Sequence, residues 1–249
     1  MRSIDLNSDL GEGAGGDEEV MPHVTSANVA CGAHAGDEAT MRRTIELALR
    51  HGVAIGAHPG YRDLANFGRV ALEMAPDALK ADLVAQLETL RAIAQAAGAK
   101  IAHVKAHGAL YNQGERHEGI ATTIVEAVRS FDEDLVLFAP PGSAMAAVAG
   151  WLGLRVAREG FADRAYEPDG TLRPRRLPGA VHTDPAIAAA QALRLARDGR
   201  VGTFDGGEIR LAVDTICVHG DTPGAAAIAR AVRAALEGAG IEVKAFAAR

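Results

Sequence analysis

The chain has 249 residues, which suits one large α/β domain or two small ones and leaves room for a sizeable core. A net charge of −6 without a basic block argues against nucleic acid as a partner, and two cysteines, Cys31 and Cys217, are too few for a disulfide framework. With no apolar leader and no long uncharged apolar window, neither export nor a membrane span is expected, and the cytoplasm is the expected location.

Short apolar runs alternate with amphipathic stretches along the whole chain, with no linker between them, so one domain is expected over 1–249. A first strand at 3–6 and a second at 24–30 precede a helix that Asp37 caps and that runs to about residue 50. A strand at 53–57 is followed by a helix opened by Pro76 and running to about 97. Next come a strand at 101–105, a helix at 120–128 and strands at 135–139 and 154–157. A helix at 185–197 behind Thr183 leads to 201–211, where Gly206 and Gly207 between short alternating runs predict an inserted hairpin. A strand at 212–218, a helix at 223–236 and a last strand at 241–246 complete the order. Strand alternating with helix predicts parallel pairing through crossovers. A β/α barrel of seven or eight strands fits best, with an open doubly wound sheet as the alternative, because periodicity does not reveal closure.

Both architectures bind ligands at the carboxyl ends of their strands. The first strand runs into Asn7, Asp9 and Glu12, and the second into Asn28, Cys31 and His34. The third ends at His58, and the fourth carries Lys105 and His107. Glu159, Asp163 and Arg164 follow the sixth, and His219 and Asp221 follow the last long run. A solvated rim would favour Lys and Glu; here His, Asn and Asp adjoin apolar runs. Lys105 is the sharpest signal, since a lysine ending an apolar strand is costly to bury unless paired or used. His107, two residues on, shares its side of the strand and can relay protons near neutral pH. Asp9 and Glu12 read either as turn-capping carboxylates or as a general base and its support. Cys31 reads as a small buried residue in a tight turn rather than a nucleophile. His23, His51, His103, His117 and His182 lack supporting neighbours and are assigned to surface or core, with His103 turned away from the partners of Lys105 if it faces the helices. No phosphate loop, dinucleotide fingerprint, HExxH or CxxC occurs. A divalent metal is chemically possible where Asp9, His34, His58 and His107 converge from different strands, but its ligands are unassigned.

The segments DLNSDLGEG, TSANVACGAHAGD, IGAHPGYRDLANFGR, HVKAHGALYN, EGFADRAYEPDGTLRPR and ICVHGDTP occur in this order. Their order and spacing resemble the LamB/YcsF family, whose members include the A subunit of the bacterial ATP-dependent 5-oxoprolinase. The resemblance covers essentially the whole chain. It implies a seven-stranded TIM-like barrel of the glycoside hydrolase/deacetylase type. It also implies opening of the lactam of 5-oxo-L-proline to L-glutamate coupled to ATP hydrolysis, with 5-oxoprolinase subunits B and C as partners and ATP as cosubstrate. Matched by position, Asp9, His34, His58, Lys105 and His107 are the expected catalytic residues. Asn7, Glu12, Asn28, Asp37, Arg69, Glu159, Asp163, Arg164, His219 and Asp221 are the expected substrate-binding set. Three positions depart from the pattern: Ser8 stands where the family usually has Cys, Ala106 where it has Pro, and Val70 where it has a second Arg.

On this resemblance, Lys105 or Arg69 is expected to hold an anionic group. Asp9 with His34, His58 or His107 is expected to activate water and deliver a proton to the leaving nitrogen. Two other readings stay open: a metal-dependent amide or carbohydrate deacetylase, and a non-catalytic lactam-binding subunit.

Overall fold

The computed structural model describes residues 2–13 and 15–246. Strands β1 (Ser3–Leu10), β2 (Ser26–Ala30), β3 (Ala54–His58), β4 (Ile101–Lys105), β5 (Val136–Ala139) and β6 (Arg155–Phe161) come first. An antiparallel hairpin, β7 (Arg200–Gly202) and β8 (Glu208–Arg210), separates them from β9 (Thr215–Cys217) and β10 (Glu242–Val243). The helices are α1 (Asp17–Val20), α2 (Glu38–His51), α3 (Pro76–Ala96), α4 (Gly108–Arg116), α5 (Glu118–Phe131), α6 (Ala144–Leu152), α7 (Pro185–Asp198) and α8 (Ala225–Gly238).

Seven parallel strands close in the order β1-β2-β3-β4-β5-β6-β9, and β9 returns to β1 through Asp5 opposite Thr215 and Asn7 opposite Cys217. Closure settles the choice between barrel and open sheet: no edge is left within this ring. The strand β10 pairs with the start of β1 (Ser3 opposite Glu242).

Local sequence explains the helices. Asp37 accepts a hydrogen bond from the Thr40 amide at 2.7 Å and caps α2, which Gly52 ends at φ 65°, a left-handed turn that suits glycine. Pro76 opens α3, and its stripe Leu79, Leu83, Leu87 and Leu90 is buried. The cap of α7 is Asp184, not Thr183. The expected pattern omitted α4 and α6: α4 is only nine residues long, though its Ala109, Leu110 and Tyr111 are buried, and α6 is apolar on all sides and shows no stripe.

Alternation along each strand sends every second side chain into the barrel. In this barrel many of them are polar. At the bottom, Asp5 accepts hydrogen bonds from Thr25 (2.7 Å), Ser26 (2.8 Å) and Thr215 (2.6 Å). Above it, Asn7 donates to Glu159 (3.0 Å) and Thr215 (2.8 Å), and Asn28 donates to Asn7 (2.8 Å) and Asp9 (2.7 Å). His103 donates to Asn28 at 2.7 Å and stacks on Phe138, with ring centroids 4.2 Å apart. This corrects the sequence reading of His103: it lies inside the barrel, on the same side of β4 as Lys105. Gly56 makes that placement feasible, because a Cβ there would stand 2.0 Å from the His103 ring. The apolar part of the interior, Val136, Phe138 and Ala157, packs against Phe246.

Candidate active site

Lys105 and Asp9 end their strands on the inward side and meet. The Lys105 ammonium donates to Asp9 (2.9 Å) and to the Cys217 sulfur (3.1 Å), and lies 2.9 Å from Glu159. All three N–H groups are thus engaged. Burial alone would lower the Lys105 pKa, but Asp9 and Glu159 overcome it and hold the amine charged, well above the ordinary lysine range. Burial likewise opposes ionisation of Asp9, while His58 and Lys105 keep its carboxyl well below the usual carboxylate range. Lys105 is therefore a cation held between two buried carboxylates, and it lines the cavity described below. Tyr111 on α4 donates to the second oxygen of Glu159 at 2.7 Å.

A second corner is built from Glu12, His34, His58 and His107. His58 donates from Nδ1 to the Lys105 carbonyl (2.7 Å), and His107 donates from Nε2 to the Phe67 carbonyl (2.9 Å). Carbonyl oxygens only accept, so these contacts assign the tautomers. The remaining nitrogens, His58 Nε2 and His107 Nδ1, face one another across 2.9 Å, an approach that needs a proton or a metal ion between them; burial opposes a charge on His58, but Asp9 outweighs it and raises its pKa. Glu12 Oε1 stands 3.3 Å from the His107 nitrogen and 3.9 Å from the His58 nitrogen. The Phe67 carbonyl reaches His107 because Phe67 takes φ 56°, the one positive φ at a non-glycine among the described residues. Behind it, Gly68 (φ 61°) lets the loop pass against His34 and His107.

The His34 ring stacks on His107 with centroids 3.6 Å apart and planes within 3°, and its Nε2 meets Glu12 at 3.2 Å. Its Nδ1 is buried without a partner, so Nε2 carries the proton and donates to Glu12. Burial pushes the His34 pKa down to about 4, which keeps the ring neutral. Potential ligand atoms of Glu12, His34, His58 and His107 all lie within 4.8 Å of one another. The sequence reading put Asp9 in this cluster; Glu12 takes that place, while Asp9 faces Lys105 and touches the corner at one point, 3.4 Å from His58 Nε2.

A cavity of about 690 Å³ opens over both corners. Arg69, Arg116, Arg175 and Arg176 line it, and so do His219 and Asp221. Arg69 pairs with Asp221, and Arg175 approaches the same carboxylate at 3.6 Å. His219 meets Asp163 through Nδ1 at 3.0 Å and stacks on Phe161. Arg164 also lines the cavity, but its guanidinium is tied to the carbonyls of Ala180 (3.3 Å) and Arg173 (2.6 Å). Asn7 and Asn28 sit one level deeper and reach the site through Glu159 and Asp9.

Asp37 is the expected site residue that the fold leaves out; it is exposed and spent on capping α2. The departures at Ser8 and Val70 also lie off the chemistry: Ser8 donates to the Val218 carbonyl at 2.6 Å, and Val70 is exposed. At Ala106, the turn is held instead by the His107 amide, which donates to the Pro59 carbonyl at 2.8 Å. Sequence reasoning missed Tyr111 and the Cys217 contact. Tyr111 follows His107 by one helical turn, a spacing that would have exposed it had α4 been recognised. Cys31 is buried, its thiol pushed up to about 12 by burial, as suits a packing residue.

A profile of the LamB/YcsF family matches residues 4–249. The A subunit of 5-oxoprolinase from Symbiobacterium thermophilum is 50% identical over 248 residues, covering 98% of this chain and 95% of that protein. The protein of the same name from Bordetella pertussis is 50% identical, covering 98% of each. Among solved structures, the lactam utilization protein of Thermus thermophilus superposes with a TM-score of 0.92 at 46% identity, over 98% of this chain and all of that one. A T48 deacetylase, at a TM-score of 0.52 and 14% identity over 97% of this chain and 87% of that one, shares the fold alone. The ordered motifs, the closed seven-stranded barrel and full-length identity near one half agree: the chain belongs to the LamB/YcsF family.

Proposed function

We propose that the chain is the A subunit of a 5-oxoprolinase, opening the lactam of 5-oxo-L-proline to L-glutamate with ATP hydrolysis, in an assembly with subunits B and C. The observation that carries this reading is the cavity in which two carboxylate-held corners and an arginine rim converge, in a chain half identical to relatives bearing that name. A lactam is an unreactive amide, so ATP is the natural source of activation: a phosphoryl group placed on the ring oxygen leaves the adjacent carbon open to water. The arginines that line the cavity, Arg69 and Arg175 foremost, suit the substrate carboxylate or a phosphate. The Glu12–His58–His107 corner is placed to activate water. Asp163 fixes His219 through Nδ1 and leaves Nε2 to protonate the departing ring nitrogen. Lys105 sets the charge of the site without touching the substrate.

The decisive assay is 5-oxoproline-dependent ATP hydrolysis, with and without the partner subunits. In the reconstituted complex, His107→Ala and His219→Ala are each expected to lower turnover by about 10²–10³-fold. Retention of more than about a tenth of turnover by either removes its role. Calorimetry with ATP on the isolated chain assigns the nucleotide to this chain or to a partner. ATP-independent amide hydrolysis by the isolated chain would favour the deacetylase reading instead. A pure carrier has no use for so many ionisable groups around one cavity.

A further inference from the structure

We infer that Glu12, His58 and His107 form a binding site for one divalent transition-metal ion, with Glu12 Oε1, His58 Nε2 and His107 Nδ1 as ligands. Ligands bound about 2.1 Å from one ion lie about 3.0–3.4 Å apart when they are neighbours in its coordination shell. The His58–His107 and His107–Glu12 pairs, at 2.9 and 3.3 Å, already have that spacing, and the His58–Glu12 pair at 3.9 Å is half an ångström wide of it. A proton on the line between the two histidines would satisfy two lone pairs; an ion set off that line satisfies three atoms at once.

The surroundings are those of a metal site. Ligating histidines donate their other N–H to a carbonyl or carboxylate, which fixes tautomer and ring orientation. His58 does so to the Lys105 carbonyl and His107 to the Phe67 carbonyl. Glu12 is oriented in the same way by His34. His34 itself is excluded from the shell, because a metal bond lies in the ring plane and two rings stacked in parallel at 3.6 Å do not share one in-plane point. His34 is therefore a positioning residue. Glu12, His58 and His107 all line the cavity, so the open coordination positions face the space where substrate would sit. Two histidines and one carboxylate suit zinc and the neighbouring divalent ions, not magnesium or calcium. Placing an ion here deepens the lactam-opening reading by naming what the water-activating corner holds, although its geometry would survive that reading's failure.

The test is metal binding by the full-length chain, stripped with chelator and titrated calorimetrically with Zn²⁺, and separately with Co²⁺ followed by its visible absorption. One equivalent per chain is expected in both titrations. His107→Ala should abolish the Co²⁺ band. His34→Phe keeps the stacked ring, loses only the hydrogen bond to Glu12, and should weaken Zn²⁺ by about 10–100-fold. Circular dichroism identifies folded variants, and His34→Phe keeps the comparison intact if His107→Ala does not fold. Absence of Zn²⁺ and Co²⁺ binding by the wild-type chain overturns the proposal in favour of a shared proton. Unchanged affinity in folded His34→Phe also overturns it, because the assigned carboxylate would then not be the ligand. Neither outcome bears on whether the complex hydrolyses ATP with 5-oxoproline.

Discussion

Replacing Lys105 with methionine tests the electrostatic core of the site. The substitution is close to the lysine stem in volume, so it perturbs charge more than packing. It leaves Asp9 and Glu159, both buried, without the cation 2.9 Å from each. Removing one partner of a buried ion pair costs about 3–5 kcal/mol, because the remaining charge stays in the protein without compensation. For a chain of this size that corresponds to a melting temperature lower by about 6–20 °C. Urea unfolding at pH 7.5 gives the free energy directly. Lys105→Met combined with Glu159→Gln should recover part of the loss, since one of the two uncompensated charges is gone. The deficit of the single variant should also shrink on acidification, as Asp9, no longer held down by Lys105, takes up a proton. A Lys105→Met chain within about 1 kcal/mol of wild type, with no rescue in the double variant, would refute the assignment of Lys105 as the counter-ion that makes the polar interior tolerable.

Gly56→Ala should destabilise by about 1–3 kcal/mol in urea, because its methyl would displace the His103 ring and break the bond to Asn28. An effect no larger than that of Gly119→Ala, where no neighbour approaches and φ is not positive, would contradict it. Asp37→Ala should lower thermal stability modestly and leave turnover of the complex unchanged; a loss of turnover would return Asp37 to the site. Acid sensitivity follows from two depressed groups. Burial brings His103 down to about 3 from 6.5, so it stays neutral when folded while the unfolded chain takes a proton; stability is full above pH 6.5 and falls by up to about 1.4 kcal/mol per pH unit towards pH 3. Burial opposes ionisation of Asp163, but His219 and Thr222 bring it down to about 2 from 3.8, so its share is present above pH 3.8 and lost on the way to pH 2. Urea midpoints from pH 8 to 4 measure the first effect, and a His103→Asn variant with the same slope as wild type would dismiss it.

The alternation of strand and helix was legible because apolar runs are spaced by long amphipathic stretches, whereas closure into a barrel was not; the candidate site was legible because strand ends carry His, Asp and Asn. That Lys105 would be costly to bury unless paired or used was legible, but its partners were not, since Asp9, Glu159 and Cys217 come from three other strands. His103 was misplaced for a related reason: alternation already put it on the Lys105 side, yet a histidine inside a barrel is unexpected unless Asn28 is known to face it. The exchange of Asp9 for Glu12 beside the histidines depends on the turn after β1, whose path no periodicity encodes. Asp37 entered the expected substrate-binding set only through the family match, whereas the capping role that the sequence also predicted accounts for its contacts.

The closing pair of strands has a consequence for how the protein folds. Asp5 and Asn7 belong to β1, yet Thr215, which bonds both, is more than two hundred residues downstream. Thr25 and Ser26 serve Asp5, and Asn28 serves Asn7, from the segment that follows in sequence, but the Thr215 contacts to both wait for β9. The interior network is therefore completed only when β9 closes the ring, and contacts of such long sequence separation slow folding.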